Sequence, residues 1–67
     1  MQPTVEDLRL LKRIYVGGQS VHVEGNVDQR PYKRLEDIGW LTSTALSMQD
    51  VAYKMTEKGL KQALDLD

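Results

Sequence analysis

Cysteine is absent from this sequence, so no disulfide can stabilise the fold. The one histidine, His22, lacks the companion ligands that a structural zinc site needs, and we therefore expect no metal. No apolar run approaches the roughly 18 residues of a membrane span. Residues 1–7 also lack the basic start and apolar stretch of a signal peptide. These absences predict a cytoplasmic protein that does not interact with membranes.

Composition indicates a folded domain, because 40% of the residues are apolar and 28% are charged. The 67 residues allow one domain, spanning positions 1–67. A core of this size is thin, so packing between helices or association with a second copy must add stability. The net charge of −1 argues mildly against strong non-specific DNA binding, which draws on a basic surplus.

A first helix is predicted after Thr4. Thr4 and Asp7 have the spacing of a capping box, in which each side chain accepts a hydrogen bond from the other residue's backbone N–H. Gly17-Gly18 then ends the helix, since glycine adopts a left-handed turn at low cost. The apolar face of this helix repeats at helical spacing and includes Leu8, Leu11 and Tyr15.

A short strand and a second helix are expected next. Residues 19–24 alternate between apolar and polar side chains, which is the period of a half-buried strand. Asp28 is a favourable N-cap and leaves Pro31 in the first helical turn, where its missing N–H costs nothing. This helix is predicted over about residues 28–38, with Gly39 as its C-terminal stop.

The last third of the chain predicts a β-hairpin and a third helix. Residues 40–44 and 51–55 can pair around a loop near Met48-Gln49-Asp50. Thr56 is a favourable N-cap for a helix whose narrow apolar face comprises Leu60, Ala63 and Leu64. The expected class is therefore α+β, in the order helix, short strand, helix, β-hairpin, helix.

Two segments carry a resemblance to a known family. Residues 34–41, RLEDIGWL, and residues 53–59, YKMTEKG, resemble the patterns RLExxGLI and YxLTEKG of winged helix-turn-helix regulators of the MarR and PadR type. The resemblance covers roughly residues 28–64. It implies a small winged-helix fold in which residues 28–38 form the recognition helix and the following hairpin forms the wing.

Two departures from that pattern concern the parts that dock on DNA. Winged helices normally carry another helix between the first helix and the recognition helix, but only residues 17–27 are available here. That helix is therefore expected to be missing, shortened or replaced by a strand. Residues 42–53, which correspond to the wing, contain no lysine or arginine.

The candidate DNA-binding residues lie on the second predicted helix. Cations at offsets of three and four share one helix face, where arginine can bind guanine edges and lysine can bind phosphate. The alternative interpretation is an ordinary solvated face balanced by Glu36 and Asp37. The DNA-binding set comprises Gln29, Arg30, Lys33 and Arg34.

Catalysis is not expected from this sequence. Its serines lack a nucleophile elbow and a second histidine, and Gly17-Gly18 lacks the lysine of a phosphate-binding loop. A chain of this size also offers little cavity for a substrate. We therefore expect a non-catalytic protein that needs no cofactor.

Two functions remain as hypotheses. The first is a small transcriptional regulator that binds duplex DNA, acting as a dimer. The second is a protein-binding adaptor or inhibitor on a winged-helix scaffold, of the accessory type found in viruses and mobile elements. The residues expected at a dimer or partner interface, unless they simply close the monomer core, are Leu8, Leu11, Tyr15, Leu60 and Leu64.

Overall fold

A computed structural model of the chain describes residues 2–65, which form helices and antiparallel strands, so the expected α+β class is confirmed. In chain order the elements are α1 (Val5–Val16), β1 (Ser20–Val23), α2 (Arg30–Ile38), β2 (Leu41–Ala45), β3 (Val51–Met55) and α3 (Glu57–Leu64).

The start of α1 confirms the predicted capping box. The Asp7 backbone N–H donates to Thr4 Oγ1 over 3.2 Å, and the Thr4 N–H donates to Asp7 Oδ2 over 2.9 Å. These bonds satisfy backbone donors that have no partner within the helix. At the other end the Gly17 N–H donates to the Arg13 carbonyl oxygen, so the helix ends where the glycine pair predicts.

The three strands form one antiparallel sheet in the order β1–β3–β2. Tyr53, in the central strand, is paired with Val21 on one side and Ser43 on the other. Both the predicted strand and the predicted hairpin are confirmed, although β2 begins one residue later than expected.

Helix α2 begins at Arg30, later than the start that Asp28 predicts. Gln29 occupies the N-cap position without a capping side-chain bond, while the Asp28 carboxylate accepts the Arg30 backbone N–H over 3.0 Å. Gly39 ends the helix as predicted, with a φ of 98° that disfavours side chains with a Cβ. Of the outcomes expected for residues 17–27, a strand takes the place of the additional helix, because β1 is the only element between α1 and α2.

The core lies between the helices and one face of the sheet. Its buried apolar residues are Leu11, Ile14, Val23, Leu35, Trp40, Leu41, Tyr53, Met55 and Ala63. The Tyr53 ring stacks on Tyr32 with 5.3 Å between ring centroids. A Cβ on Gly59 would lie 2.3 Å from the Trp40 carbonyl oxygen, so only glycine allows α3 to approach the start of β2 this closely.

Candidate binding surfaces

Arg30 is paired with a carboxylate of its own chain. Its Nε and Nη2 atoms donate to Asp28 Oδ1 and Oδ2 over 3.0 and 2.9 Å. The hydrogen bonds lower the pKa of Asp28 and raise the pKa of Arg30. The Arg30 side chain is 88% exposed, and an exposed ion pair of this kind is readily exchanged for another anion.

Arg34 is held more firmly, in a pair that joins α2 to α1. Its Nε and Nη2 atoms donate to Asp7 Oδ1 and Oδ2 over 3.1 and 2.8 Å, and the Asp7 side chain is only 5% exposed. The hydrogen bonds from Arg34 lower the pKa of Asp7 from 3.8 to about 2. The Arg34 guanidinium is therefore engaged with Asp7, and the DNA-binding role predicted for Arg34 stays a prediction.

Gln29 also serves the fold. Its amide oxygen accepts the Tyr53 hydroxyl hydrogen over 2.9 Å, and its Nε2 donates to the Gln49 carbonyl oxygen over 3.2 Å. Both ends of its amide have a partner within the chain, and the expectation that Gln29 extends a DNA-binding surface stays a prediction. Lys33 is exposed and makes no ion pair among residues 2–65.

The α2 surface as a whole is balanced in charge. Its three cations are accompanied by Asp28, Asp7 and the exposed Asp37. Both arginine–aspartate pairs line a shallow groove between the N-terminal parts of α1 and α2. A surface with this balance supplies little of the positive potential that attracts DNA phosphates.

The residues predicted for a dimer interface divide into two groups. Leu11 is a correction, because it is fully buried in the core and cannot contact a partner of the folded chain. Three others, Leu8, Tyr15 and Leu60, are half-buried and pack against that core. Leu64 is exposed. The interpretation that these faces close the monomer core therefore holds for most of the set.

The hairpin turn, residues 46–50, is ordered by its own hydrogen bonds. The Leu46 N–H donates to the Asp50 carbonyl oxygen over 2.9 Å, and the Asp50 N–H donates to Ser47 Oγ over 3.1 Å. A hydroxyl that accepts backbone N–H groups in this way stabilises a turn. Contacts within the turn itself therefore define its backbone shape.

The loop between β1 and α2 is attached to this turn at two points. The Gly25 N–H donates to Asp50 Oδ1 over 3.1 Å, and Gln29 reaches the Gln49 carbonyl oxygen as described above. His22 Nε2 lies 3.4 Å from Asp50 Oδ2 and adds a third polar contact at this end. Loop and turn therefore form one continuous end of the molecule.

This end presents apolar side chains to solvent. Met48 is fully exposed, Leu46 is 53% exposed and Val27, in the attached loop, is 46% exposed. We call these three residues the hairpin tip. These residues are not among those predicted from the sequence, although residues 42–49 contain two large apolar residues and no charge, which is a usable signal.

Comparison with known protein families identifies the family of this chain. A family model described as DUF3860-like matches residues 3–65. The chain belongs to the DUF3860-like family. That description names no activity, ligand or partner. A search of curated proteins found no match.

Two further features of this DUF3860-like protein bear on the kind of site it can form. Among residues 2–65, no three histidine, aspartate or glutamate side chains are grouped so that they could hold a metal ion. None of the helices in that range is long and apolar enough to cross a membrane. Two surfaces described above are used below as candidate sites, the α2 surface and the hairpin tip.

Proposed function

We propose that this DUF3860-like protein is a non-catalytic binding module that contacts a protein partner through the hairpin tip. The observation that carries the proposal is the full exposure of Met48 beside Leu46, on a turn whose backbone is held by hydrogen bonds. Burying these side chains against a partner would remove apolar surface from water.

The turn suits this role because it is ordered in advance. Binding by a preorganised loop avoids part of the entropy cost that a flexible loop pays on association. Methionine adds a flexible, polarisable side chain that adapts to the shape of an apolar pocket. The attached loop brings Val27 to the same end of the molecule, which widens the apolar area.

Charge favours a protein over DNA as the partner of this surface. Residues 42–49 carry no charge, and the two arginines of α2 are paired with aspartates. DNA binding draws most of its affinity from cations that contact phosphates. An uncharged, partly apolar surface instead resembles the centre of a protein interface.

We further propose that the scaffold is winged-helix-like. The sheet order β1–β3–β2 and the position of α2 immediately before the hairpin support this assignment. The hairpin would then be a wing whose end carries the hairpin tip. A fold by itself does not determine the partner, so the proposal depends on the exposed residues.

The test compares co-purification by wild type and two double variants of equal size. Leu46→Ser/Met48→Ser alters the hairpin tip, and Val5→Ser/Val16→Ser alters two exposed valines of α1 as the control. We expect a protein partner from the source cells to be lost with the tip variant and retained with the control. The same partner, once purified, should show the same order of affinities. Equal binding by all three proteins would contradict the proposal.

DNA binding through α2 is the second candidate, favoured by the 88% exposure of Arg30 and by the exposed Lys33. Fluorescence anisotropy at about 50 and about 200 mM salt would measure it. Arg30→Ala/Lys33→Ala is the informative variant, because Arg34 must stay to neutralise Asp7. Arg9→Ala/Arg13→Ala removes the same charge from α1.

If α2 binds DNA, affinity falls with salt and is lost only in the α2 variant. Absence of wild-type binding at the lower salt concentration would exclude this candidate, since phosphate attraction is strongest there.

A further inference from the structure

The backbone of β2 has a free edge whose hydrogen-bonding groups can be assigned. The Leu46 N–H donates to the Asp50 carbonyl oxygen and the Thr56 N–H donates to the Trp40 carbonyl oxygen, both in register with the β2–β3 pairing. Hydrogen-bonded pairs alternate with non-bonded pairs in an antiparallel ladder. Even-numbered residues of β2 therefore bond to β3, and the N–H and C=O groups at positions 41, 43 and 45 point away from the sheet.

Several of the usual protective features are missing from this edge, although α2 packs against β2. Native sheets protect edges with charged side chains, prolines or bulges. Residues 42–45 are all exposed and include neither charge nor proline, and the β2–β3 register runs without a bulge from Leu41 to Ala45. Within residues 2–65 no strand pairs with this side of β2.

We propose that a second copy of this chain adds its own β2 to this edge, antiparallel, about a two-fold axis at Ser43. Ser43 then faces Ser43 of the second copy, and Leu41 faces Ala45 on either side. All of these positions have outward backbone groups, so each facing pair exchanges two hydrogen bonds. The two three-stranded sheets join into one continuous sheet.

The side chains of β2 fit this self-pairing. Thr42 faces Thr44 of the second copy on the solvent side of the sheet, and threonine pairs across strands are favourable. Because residues 42–49 are uncharged, no like charges meet along the paired strands. An isologous contact requires a surface that complements itself in this manner.

One like-charge approach limits the strength of the contact. The Ser43 hydroxyl donates to Glu36 Oε2, so the Glu36 carboxylates of the two copies approach the axis. A pairing confined to one short strand is also smaller than a standard interface. The expected dimer is therefore weak and reversible.

The surface is distinct from the hairpin tip and does not depend on the proposed function. Because the two β2 strands run in opposite directions, the two hairpin tips lie at opposite ends of the joined sheet. A dimer of this form would present two copies of the tip to its partners.

Sedimentation equilibrium of the full chain, from about 10 µM to about 1 mM, tests the proposal. We expect a reversible monomer–dimer equilibrium for the wild type. Ser43→Pro removes an outward N–H, which an edge strand tolerates, and should weaken dimerisation at least about tenfold. Ser43→Ala loses the same hydroxyl but keeps the N–H, so it should dimerise at least about tenfold more tightly than Ser43→Pro.

A charge-pair experiment tests the register independently of proline. Thr42→Lys/Thr44→Lys places lysine opposite lysine across the axis and should weaken the dimer at least about tenfold. Thr42→Glu/Thr44→Lys places glutamate opposite lysine and should restore wild-type affinity or exceed it. Glu36→Gln should tighten the dimer several-fold, whereas the control Asp37→Asn should not. Thermal unfolding establishes that each variant is folded.

A dimer that is weakened by paired lysines and restored by the glutamate–lysine combination is the expected result. A wild type that stays monomeric at about 1 mM would overturn the proposal. So would a dimer that all folded edge variants leave unchanged, because its interface would then lie elsewhere, such as the exposed end of α3.

Discussion

Two regions of this small protein use their side chains in opposite ways. Where α1 meets α2, Thr4, Asp7 and Arg34 satisfy one another within the chain. At the hairpin tip, Met48 and Leu46 are left exposed on an ordered turn. The DNA-binding residues were predicted from the cations of α2. One of these cations, Arg34, forms an ion pair with Asp7 that stabilises the fold. This difference is the reason why we propose the exposed apolar residues, and not the cations, as the binding surface.

The largest expected effect on stability comes from removing the Asp7 carboxylate, where α1 meets α2. Asp7→Ala removes both the capping box and the partner of Arg34, and should lower the free energy of unfolding by about 3 kcal/mol at pH 7. Urea unfolding measures the change. Asp37→Ala, an exposed carboxylate on α2, is the control and should change stability by no more than about 0.5 kcal/mol. Equal effects of the two substitutions would show that the Asp7–Arg34 pair contributes no more to stability than an exposed carboxylate does.

Acid should weaken the contact that Asp7 makes between α1 and α2. The pKa of Asp7 lies at about 2 in the folded protein, below its ordinary value of 3.8. Its stabilising contribution is therefore fully present above pH 3.8 and is lost as the pH falls through about 2. The loss amounts to about 2 kcal/mol. Urea unfolding as a function of pH should show this dependence in wild type and a smaller one in Asp7→Asn.

Local signals in the sequence were sufficient for most of the fold. The Thr4–Asp7 capping box, the stop at Gly39 and the cap at Thr56 each depend on neighbours a few residues away, and all three are present. The predicted N-cap of α2, Asp28, precedes the observed N-cap, Gln29, although the Asp28 carboxylate does accept the Arg30 N–H.

The candidate site was harder to predict, because it depends on contacts between residues far apart in the chain. Arg34 and Asp7 are separated by 27 positions, and no periodicity relates them. Gln29 likewise bonds to Tyr53, which lies 24 positions away in the central strand. Composition and spacing describe which residues share a helix face, but not which of them already has a partner.

Removing the Gln29 side chain, which contacts the hairpin turn, should lower the free energy of unfolding less than removing the Asp7 carboxylate. Gln29→Ala removes the acceptor of the Tyr53 hydroxyl and the contact with Gln49, and should lower the free energy of unfolding by about 1 kcal/mol. Amide hydrogen exchange should accelerate at Gly25 and Asp50 and remain unchanged in α1. The control is Gln62→Ala in α3. Faster exchange throughout the chain would mean that Gln29 stabilises the whole fold.

The smallest effect on stability is expected from a substitution of Met48, and the buried Met55 provides the comparison. Met48→Ser should change the free energy of unfolding by no more than about 0.5 kcal/mol, because the side chain is already in water. Met55→Ser, in the buried core, should cost about 3 kcal/mol. Met48→Ser should nonetheless reduce partner binding, which calorimetry with the purified partner can measure. If Met48→Ser leaves partner binding unchanged, Met48 has no role in the interface. The proposed function would then have to depend on another surface.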